Sequence, residues 1–483
     1  MKRLISCVLA LLYIMAGFAS GTWILHGKEY RVDTLYHAYI GPGTTQTSIK
    51  LAGPVNLRVF YTTTDLKNEN VDVRAIKHKD TLTGLGTVSN AAESHSTSNR
   101  SYFAGINADF FSSSMPCGIT VVDGEVYCSD QASGWSLFGI DANKIPYSGG
   151  GDFYVKLTAP DYSTAELSAM NLERETNGLV LYSSRKGANT GTDGNGSEVV
   201  LIPDGEGNFL TPGATVRMRV QGNPNHAGSM PIPDNGYILS GSGTKESFVS
   251  NLSEGDEVEV RCAIRFNGFT GGKIQQALGG CPMLVSGGKV LDTENALDHL
   301  TSAQPRTAVG YNAEKNKLVM LVADGRSSIS VGPISKVLAD IMIYAGCSEA
   351  MNFDGGGSST FYVKGEGVIN QPSDGSERSV TDGLYLSTDA PQNDMTITTI
   401  RFMDYAKTLN QGDAYTPVIY GYNQYGVLVD RNVEGVTLSC GSSLGTITND
   451  GTTLNASGSG THMFTDGYGN LTTTLSVTVI GES

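Results

Sequence analysis

Positive charge is scarce in this chain: 33 Lys and Arg stand against 48 Asp and Glu, a formal net charge of −15 over 483 residues. Phosphate backbones attract basic surfaces, so nucleic acid is not expected as a partner. Any anion the chain binds must then be met by a local group of arginines. Histidine is also scarce. The seven His residues form no HExxH or related pattern, and none lies in the polar motifs described below, which disfavours a histidine-based metalloenzyme and a Ser-His-Asp hydrolase. Beyond Cys7 the cysteines are Cys117, Cys128, Cys262, Cys281, Cys347 and Cys440, with no CxxC pair, so structural zinc is not expected. Cys117 and Cys128 flank the turn dipeptide Asp123-Gly124 and are the favoured disulfide pair in an exported chain. Buried free thiols are the alternative.

Long apolar runs are missing past the amino terminus. The one at the start, Leu4 to Phe18, follows Lys2 and Arg3 and precedes Ala19, Ser20 and Gly21. It falls short of the roughly 20 residues a membrane-spanning helix needs and reads as a secretory signal peptide over residues 1–21, cleaved near Ala19. The mature chain is therefore expected to be secreted, periplasmic or at the cell surface, with no stable membrane span.

What is abundant is glycine, 60 residues of it, among many Ser, Thr, Asn and Asp. Such composition marks tight turns between short strands. The length predicts two or three domains. The fold class expected is α+β and β-rich: a mixed-sheet domain over residues 22–388 with few helices and room for two sub-regions, then a small β-sandwich over 389–483 similar to bacterial immunoglobulin-like modules. The clearest helix is expected from Pro333 to Ala345, because Ile334, Val337, Leu338, Ile341 and Ala345 recur at helical spacing and Gly346 suits its end. With the buried strands Lys317 to Ala323 and Ala350 to Phe353 on either side, it suggests a strand-helix-strand unit that could be parallel. A GxSxG match at Gly441 to Gly445 is followed by turn and strand sequence, so it does not read as a nucleophile elbow.

Two segments share a pattern: Asn107-Ala108-Asp109 and Asn352-Phe353-Asp354. On an extended strand alternate side chains share a face, so each would aim an amide and a carboxylate the same way. Turn-capping by Asp109 and Asp354 is the bland alternative. Gly355, Gly356 and Gly357, followed by Ser358 and Ser359, would expose backbone N–H groups and hydroxyls to an anion, although no Gly-Lys-Ser/Thr of a Walker loop is present. Arg306, Arg326 in Asp324-Gly325-Arg326, and Arg378 are the candidate phosphate ligands, since guanidinium binds phosphate oxygens in bidentate fashion. Carboxylates remain as the acid-base groups, and glycoside cleavage needs two.

In order along the chain, the stretches Ala104 to Phe111, Pro116-Cys117-Gly118 with Asp123-Gly124-Glu125, Asn171 with Arg174, Leu181-Tyr182, Thr190, and Gly196 to Val199 resemble the phosphodiester glycosidase family. So do Gly279 to Val285, Arg306 to Gly310, Asp324-Gly325-Arg326, Asn352 to Ser359, and Arg378. The resemblance implies hydrolysis of a sugar-1-phosphodiester to free sugar and phosphomonoester, with N-acetylglucosamine as the family default. It implies Asp109 and Asp354 as catalytic carboxylates, Glu198 as a third candidate, and Asn107, Arg306, Asp324, Arg326, Asn352, Gly355, Gly356, Ser358, Ser359 and Arg378 around sugar and phosphate. The signal peptide and tail look bacterial, so a polysaccharide, a teichoic-acid-like polymer or a host glycan is the expected diester. Two alternatives stand beside this: an exported glycan-binding protein without turnover, and a structural envelope protein. Asp and Asn clusters also hold calcium or magnesium, so a metal-assisted variant stays open.

Overall fold

The structure is a computed structural model that describes residues 21–481 apart from 131–133, 206–208, 268, 271 and 294–295. The expected signal peptide, save Gly21, lies outside the described residues. Alternation along Lys317–Ala323 explains the centre of the molecule. Leu318, Met320 and Val322 join one apolar core and Val319, Leu321 and Ala323 another, because successive strand side chains leave opposite faces. This strand sits in a nine-stranded sheet beside Arg306–Tyr311, which in turn pairs with Glu349–Asn352. One face packs on a five-stranded sheet containing Asp72–Lys77, Ser101–Asn107, Phe361–Val363 and Asp382–Thr388. The other face packs on the helix Ser335–Tyr344.

The expected strand-helix-strand unit is modified. Arg306–Tyr311 lies between Lys317–Ala323 and Glu349–Asn352 and is antiparallel to both, so the outer two run parallel without pairing. The helix also starts two residues later than expected. Ile334 is extended, with φ −69° and ψ 160°, and the Pro333 carbonyl is occupied by the Arg306 guanidinium. Gly346, at φ +100°, ends the helix where glycine's freedom is needed.

Between Asn107 and Met283 the chain builds a 13-stranded sheet with its own core. The Asp123-Gly124 turn forms as expected, with φ of 49° and 83°, and joins Thr120–Val122 to Glu125–Cys128. Register, however, sets Thr120 opposite Cys128. Cys117 lies off that ladder, its N–H donating to the Phe110 carbonyl, and both thiols are free. The favoured disulfide is therefore corrected.

Past Thr388, three small sheets enclose a separate core that includes Ile400, Leu454, Phe464 and Val477. This unit docks on the main domain. Tyr422 Oη donates to the Tyr39 carbonyl at 2.7 Å, Arg431 reaches the Lys364 carbonyl at 2.7 Å and pairs with Glu366, and Ala38 packs with Tyr420 and Tyr422. Gly445 opens a strand, with no helix after the GxSxG match. Among the described residues no helix is long and apolar enough to cross a membrane.

Candidate active site

Three strand ends of the nine-stranded sheet meet at one edge: Ala323 runs into Asp324-Gly325-Arg326, Asn352 into Phe353-Asp354, and Arg306 opens the antiparallel strand between them. The Ser101–Asn107 strand of the facing sheet delivers Asn107 and Asp109 to the same edge. The two Asn-x-Asp segments are tied directly. Asn107 Nδ2 donates to the Asp354 carbonyl at 2.7 Å, and the Asp354 N–H donates to the Ala108 carbonyl at 2.8 Å.

Asn107 is a clamp between sheets. Its Oδ1 accepts from the Thr307 hydroxyl at 2.8 Å and from the Thr360 N–H at 3.1 Å, so both ends of its buried amide are used. Asn352 Nδ2 is likewise spent on the Cys281 and Phe353 carbonyls, each at 2.7 Å, but its buried Oδ1 has no partner among the described residues.

Asp109 is buried, with Oδ2 accepting from the Gly118 N–H at 2.8 Å and Oδ1 unpartnered among the described residues. Its own N–H donates to Asp382 Oδ1 at 2.9 Å. Asp382 is fully buried and its Oδ2 is also unpartnered. Burial, and then the neighbouring Asp382 carboxyl, pushes Asp109 well above the ordinary carboxylate range. Burial pushes Asp382 up to about 6, opposed by Lys77. Asp354 is also pushed up to about 6, by burial, against the Ser358 hydroxyl, the Gly355 N–H and the Arg378 and His299 charges. Three carboxyls of raised pKa around one edge are an arrangement suited to holding and moving protons at neutral pH.

Close packing fixes Asp109. A Cβ on Gly279 would lie 2.7 Å from Asp109 Oδ2 and 2.8 Å from Gly118 Cα, so only glycine fits beneath that carboxyl. On the other side of Asp354, Arg326 and Arg378 approach the glycine loop. Arg326 is exposed, held by Gln304 Oε1 at 2.8 Å, and its guanidinium abuts Gly356. Arg378 is exposed, paired with Asp374 at 2.7 Å, and abuts Gly357. Ser358 and Ser359 are buried below the loop, with Ser359 Oγ accepting from Thr307.

Arg306 does not join this pair of open cations. Its buried guanidinium donates to the carbonyls of His299, Ser302 and Pro333, tying the end of the short helix Asp298–Thr301 to the start of the Ser335–Tyr344 helix. Asp324 is a brace as well. Its Oδ1 accepts from Asn370 Nδ2 and the Gln371 N–H at 3.2 and 2.9 Å, while Oδ2 is unpartnered among the described residues. Glu198 stands on a different sheet, Ser197–Pro203, where its carboxylate accepts from Thr192 Oγ1, Thr190 Oγ1 and the Met230 N–H at 2.8, 3.3 and 3.3 Å. None of these contacts joins it to Asp109 or Asp354. Among the described residues no group of three or more His, Cys, Asp or Glu could hold a metal ion.

Sequence reasoning missed Asp382, Lys77, Thr307 and His299. Asp382-Gly383 was legible as a carboxylate before a glycine, but nothing local marked its pairing with Asp109, which is a contact across 273 positions.

Comparison with known proteins adds the following. The phosphodiester glycosidase family model matches residues 212–387. A curated relative, the SPbeta prophage-derived uncharacterized protein YomE of Bacillus subtilis (strain 168), is 40% identical over 88 residues, which is 18% of this chain and 13% of the relative's length. A hypothetical protein from Synechocystis aligns at TM-score 0.55 with 16% identity, covering 72% of this chain and 62% of that one. A candidate exported protein of Burkholderia pseudomallei K96243 aligns at TM-score 0.55 with 17% identity, covering 76% and 98%. These likenesses show a shared fold. The matched segment holds Arg306, Arg326, Asp354, Arg378 and Asp382, whereas Asn107, Asp109 and Glu198 lie before it. Over residues 212–387, about a third of the chain, the sequence is similar to the phosphodiester glycosidase family.

Proposed function

We propose that this protein hydrolyses a sugar-1-phosphodiester at the anomeric carbon, releasing free sugar and a phosphomonoester. One observation carries the reading: two exposed guanidiniums, Arg326 and Arg378, abut the Gly355–Gly357 loop that directly follows Asp354, while Asp109 and Asp382 lie buried behind it. Guanidinium and backbone N–H groups suit a phosphodiester anion. Carboxyls with raised pKa suit proton transfer at a departing glycosidic oxygen. The similarity of residues 212–387 to the phosphodiester glycosidase family model supports the same chemistry.

The phosphate sits at Arg326, Arg378 and the glycine loop, with the sugar toward Asp109 and Asp354. Asn107, Asn352, Asp324, Ser358, Ser359 and Arg306 hold this frame. The natural diester is a glycan outside the cytoplasm, with N-acetylglucosamine as the first sugar to test. The carboxyl-terminal unit is an immunoglobulin-like module that presents the docked domain rather than contributing chemistry.

The test is hydrolysis of an α-N-acetylglucosamine-1-phosphodiester by residues 22–483 in oxygen-18 water, with both products weighed by mass spectrometry. Label in the sugar is the expected result. Label in the phosphate would make the protein a phosphodiesterase and overturn the reading. Binding of saccharide in a titration calorimeter with no product from a panel of glycosyl phosphodiesters would make it a glycan-binding protein instead.

A further inference from the structure

Lys77, so far only a charge that opposes the rise of Asp382, is a fully buried ammonium. In the antiparallel pairing of Asp72–Lys77 with Asp382–Thr388 it stands directly opposite Asp382. Directly opposed residues put their side chains on the same face of the sheet. Lys77 Nζ donates to the Gly84 and Thr381 carbonyls at 3.2 Å each, and an ammonium has three protons to place.

The other carboxyls near Lys77 are paired with arginines or open to solvent. Arg185 pairs with Glu125 at 2.7 Å and Arg74 with Asp123 at 2.6 Å, while Asp80 is exposed to solvent and needs no buried counter-charge. Cys128, also near, is a thiol whose pKa burial pushes up to about 12. Asp382 and Asp109 are left to share Lys77. Each has one carboxyl oxygen with no partner among the described residues, and they are linked through the Asp109 N–H.

One buried cation balances one buried anion. A second carboxylate at the same place would be uncompensated, and uncompensated buried charge is strongly unfavourable. Each carboxyl accepts one backbone N–H, so Asp382 is the better placed for ionisation because it is the one that faces Lys77 across the ladder. We propose that Lys77 holds Asp382 as the carboxylate and so leaves the proton on Asp109, making Asp109 the proton donor to the departing phosphate oxygen and Lys77 a positioning residue.

This rests on the reading of the reaction given above. In that reaction the bond from the anomeric carbon to the phosphate oxygen breaks, its electron pair goes to the oxygen, and that oxygen takes the Asp109 proton. Water completes the hydrolysis by placing OH on the anomeric carbon and returning one proton to Asp109.

The arrangement predicts a reversal that a purely structural role would not give. In Asp382→Asn the Lys77 charge is left facing Asp109, which then ionises. The turnover number should fall on the order of 100-fold at neutral pH, the usual worth of a positioned general acid, and the basic limb of the pH profile should move to lower pH. In the double variant Lys77→Met with Asp382→Asn both charges are gone, Asp109 regains its proton, and turnover should recover to within about tenfold of wild type. A double variant no faster than Asp382→Asn, though folded by circular dichroism, would overturn the proposal.

A second readout needs no substrate and separates this proposal from the assigned reaction. The infrared difference between wild type and Asp109→Asn at neutral pH should contain a protonated-carboxyl band. The same difference taken in the Asp382→Asn background should contain a carboxylate band instead. A carboxylate band in the wild-type difference would sink the proposal even if the protein hydrolyses glycosyl phosphodiesters.

Discussion

Two regions of this molecule bury an acid, and they treat it differently. Glu198 and Asp109 are both inaccessible to solvent, at 0% and 1% exposure. Both oxygens of Glu198 are engaged, by two threonine hydroxyls and a backbone N–H. Asp109 has one oxygen engaged and one without a partner among the described residues, and it stands beside a second buried carboxyl. A native interior rarely leaves a buried polar atom unpaired, because the desolvation penalty is then paid in full. Where one persists among like charges, the site is holding something in readiness. Burial alone does not separate Glu198 from Asp109, whereas an unmet carboxyl oxygen beside a second buried carboxyl does.

The sharpest way to break this contrast is Asp109→Asn. The amide has no acid to give, so kcat/KM on a glycosyl phosphodiester should fall by about 1,000-fold, within the range for general acid catalysis, while the fold is retained. Near-normal turnover would remove Asp109 from the reaction and leave Asp354 and Asp382 as the remaining carboxyls. Gly279→Ala should act through the same carboxyl, since the added methyl would occupy its place.

Arg326→Ala and Arg378→Ala should come next, each costing about 100-fold in kcat/KM, as expected when a charge-assisted contact to a developing phosphate charge is lost. Arg306 provides the control. Its guanidinium is tied to three carbonyls, so Arg306→Lys should lower the thermal midpoint more than it lowers substrate affinity. Equal affinity losses for all three arginines would show that Arg306 touches phosphate after all.

A smaller effect separates the raised carboxyls by pH. Asp354 and Asp382 are pushed from 3.8 up to about 6. Between those values the folded chain keeps protons the unfolded chain has lost, so their contribution to stability is present at low pH and lost as pH rises through about 6. His78, pushed down to about 4 by burial, acts with the opposite sign. Asp354→Asn should therefore make the thermal midpoint less dependent on pH across this window. An unchanged slope in melts at stepped pH would mean that Asp354 has an ordinary carboxyl.

What could be read in the sequence follows the same division. The buried strand Lys317–Ala323, the helix after it and the turn at Asp123-Gly124 were legible because periodicity and turn chemistry are local. Asp109, Asp354 and the glycine loop were legible because an Asn-x-Asp pattern and three consecutive glycines are unusual in themselves. The partners of those residues were not. Lys77 looks like any surface lysine until the ladder sets it opposite Asp382, 305 positions later by their numbers. Arg306 looks like a phosphate ligand until three carbonyls close around it. Cys117 and Cys128 look like a hairpin pair until register sets Thr120 opposite Cys128. Residue type suggests a role, and long-range register decides which of two identical residue types fills it.

Glu198→Gln should have the smallest effect on chemistry and so sharpen the comparison from its quiet side. The replacement keeps the shape but turns one acceptor oxygen into a donor, which would face the Thr190 hydroxyl and the Met230 N–H. The loss should appear in folding, as about 1–3 kcal/mol from unsatisfied buried donors. The kcat/KM should stay within about twofold of wild type, as expected when truncation spares groups that touch the reacting atoms. Denaturant melts and initial rates measured on the same preparation would separate the two. A large rate loss with normal stability would place Glu198 in the reaction and would mean that a fully satisfied carboxylate had been recruited by movement of its sheet toward Asp109.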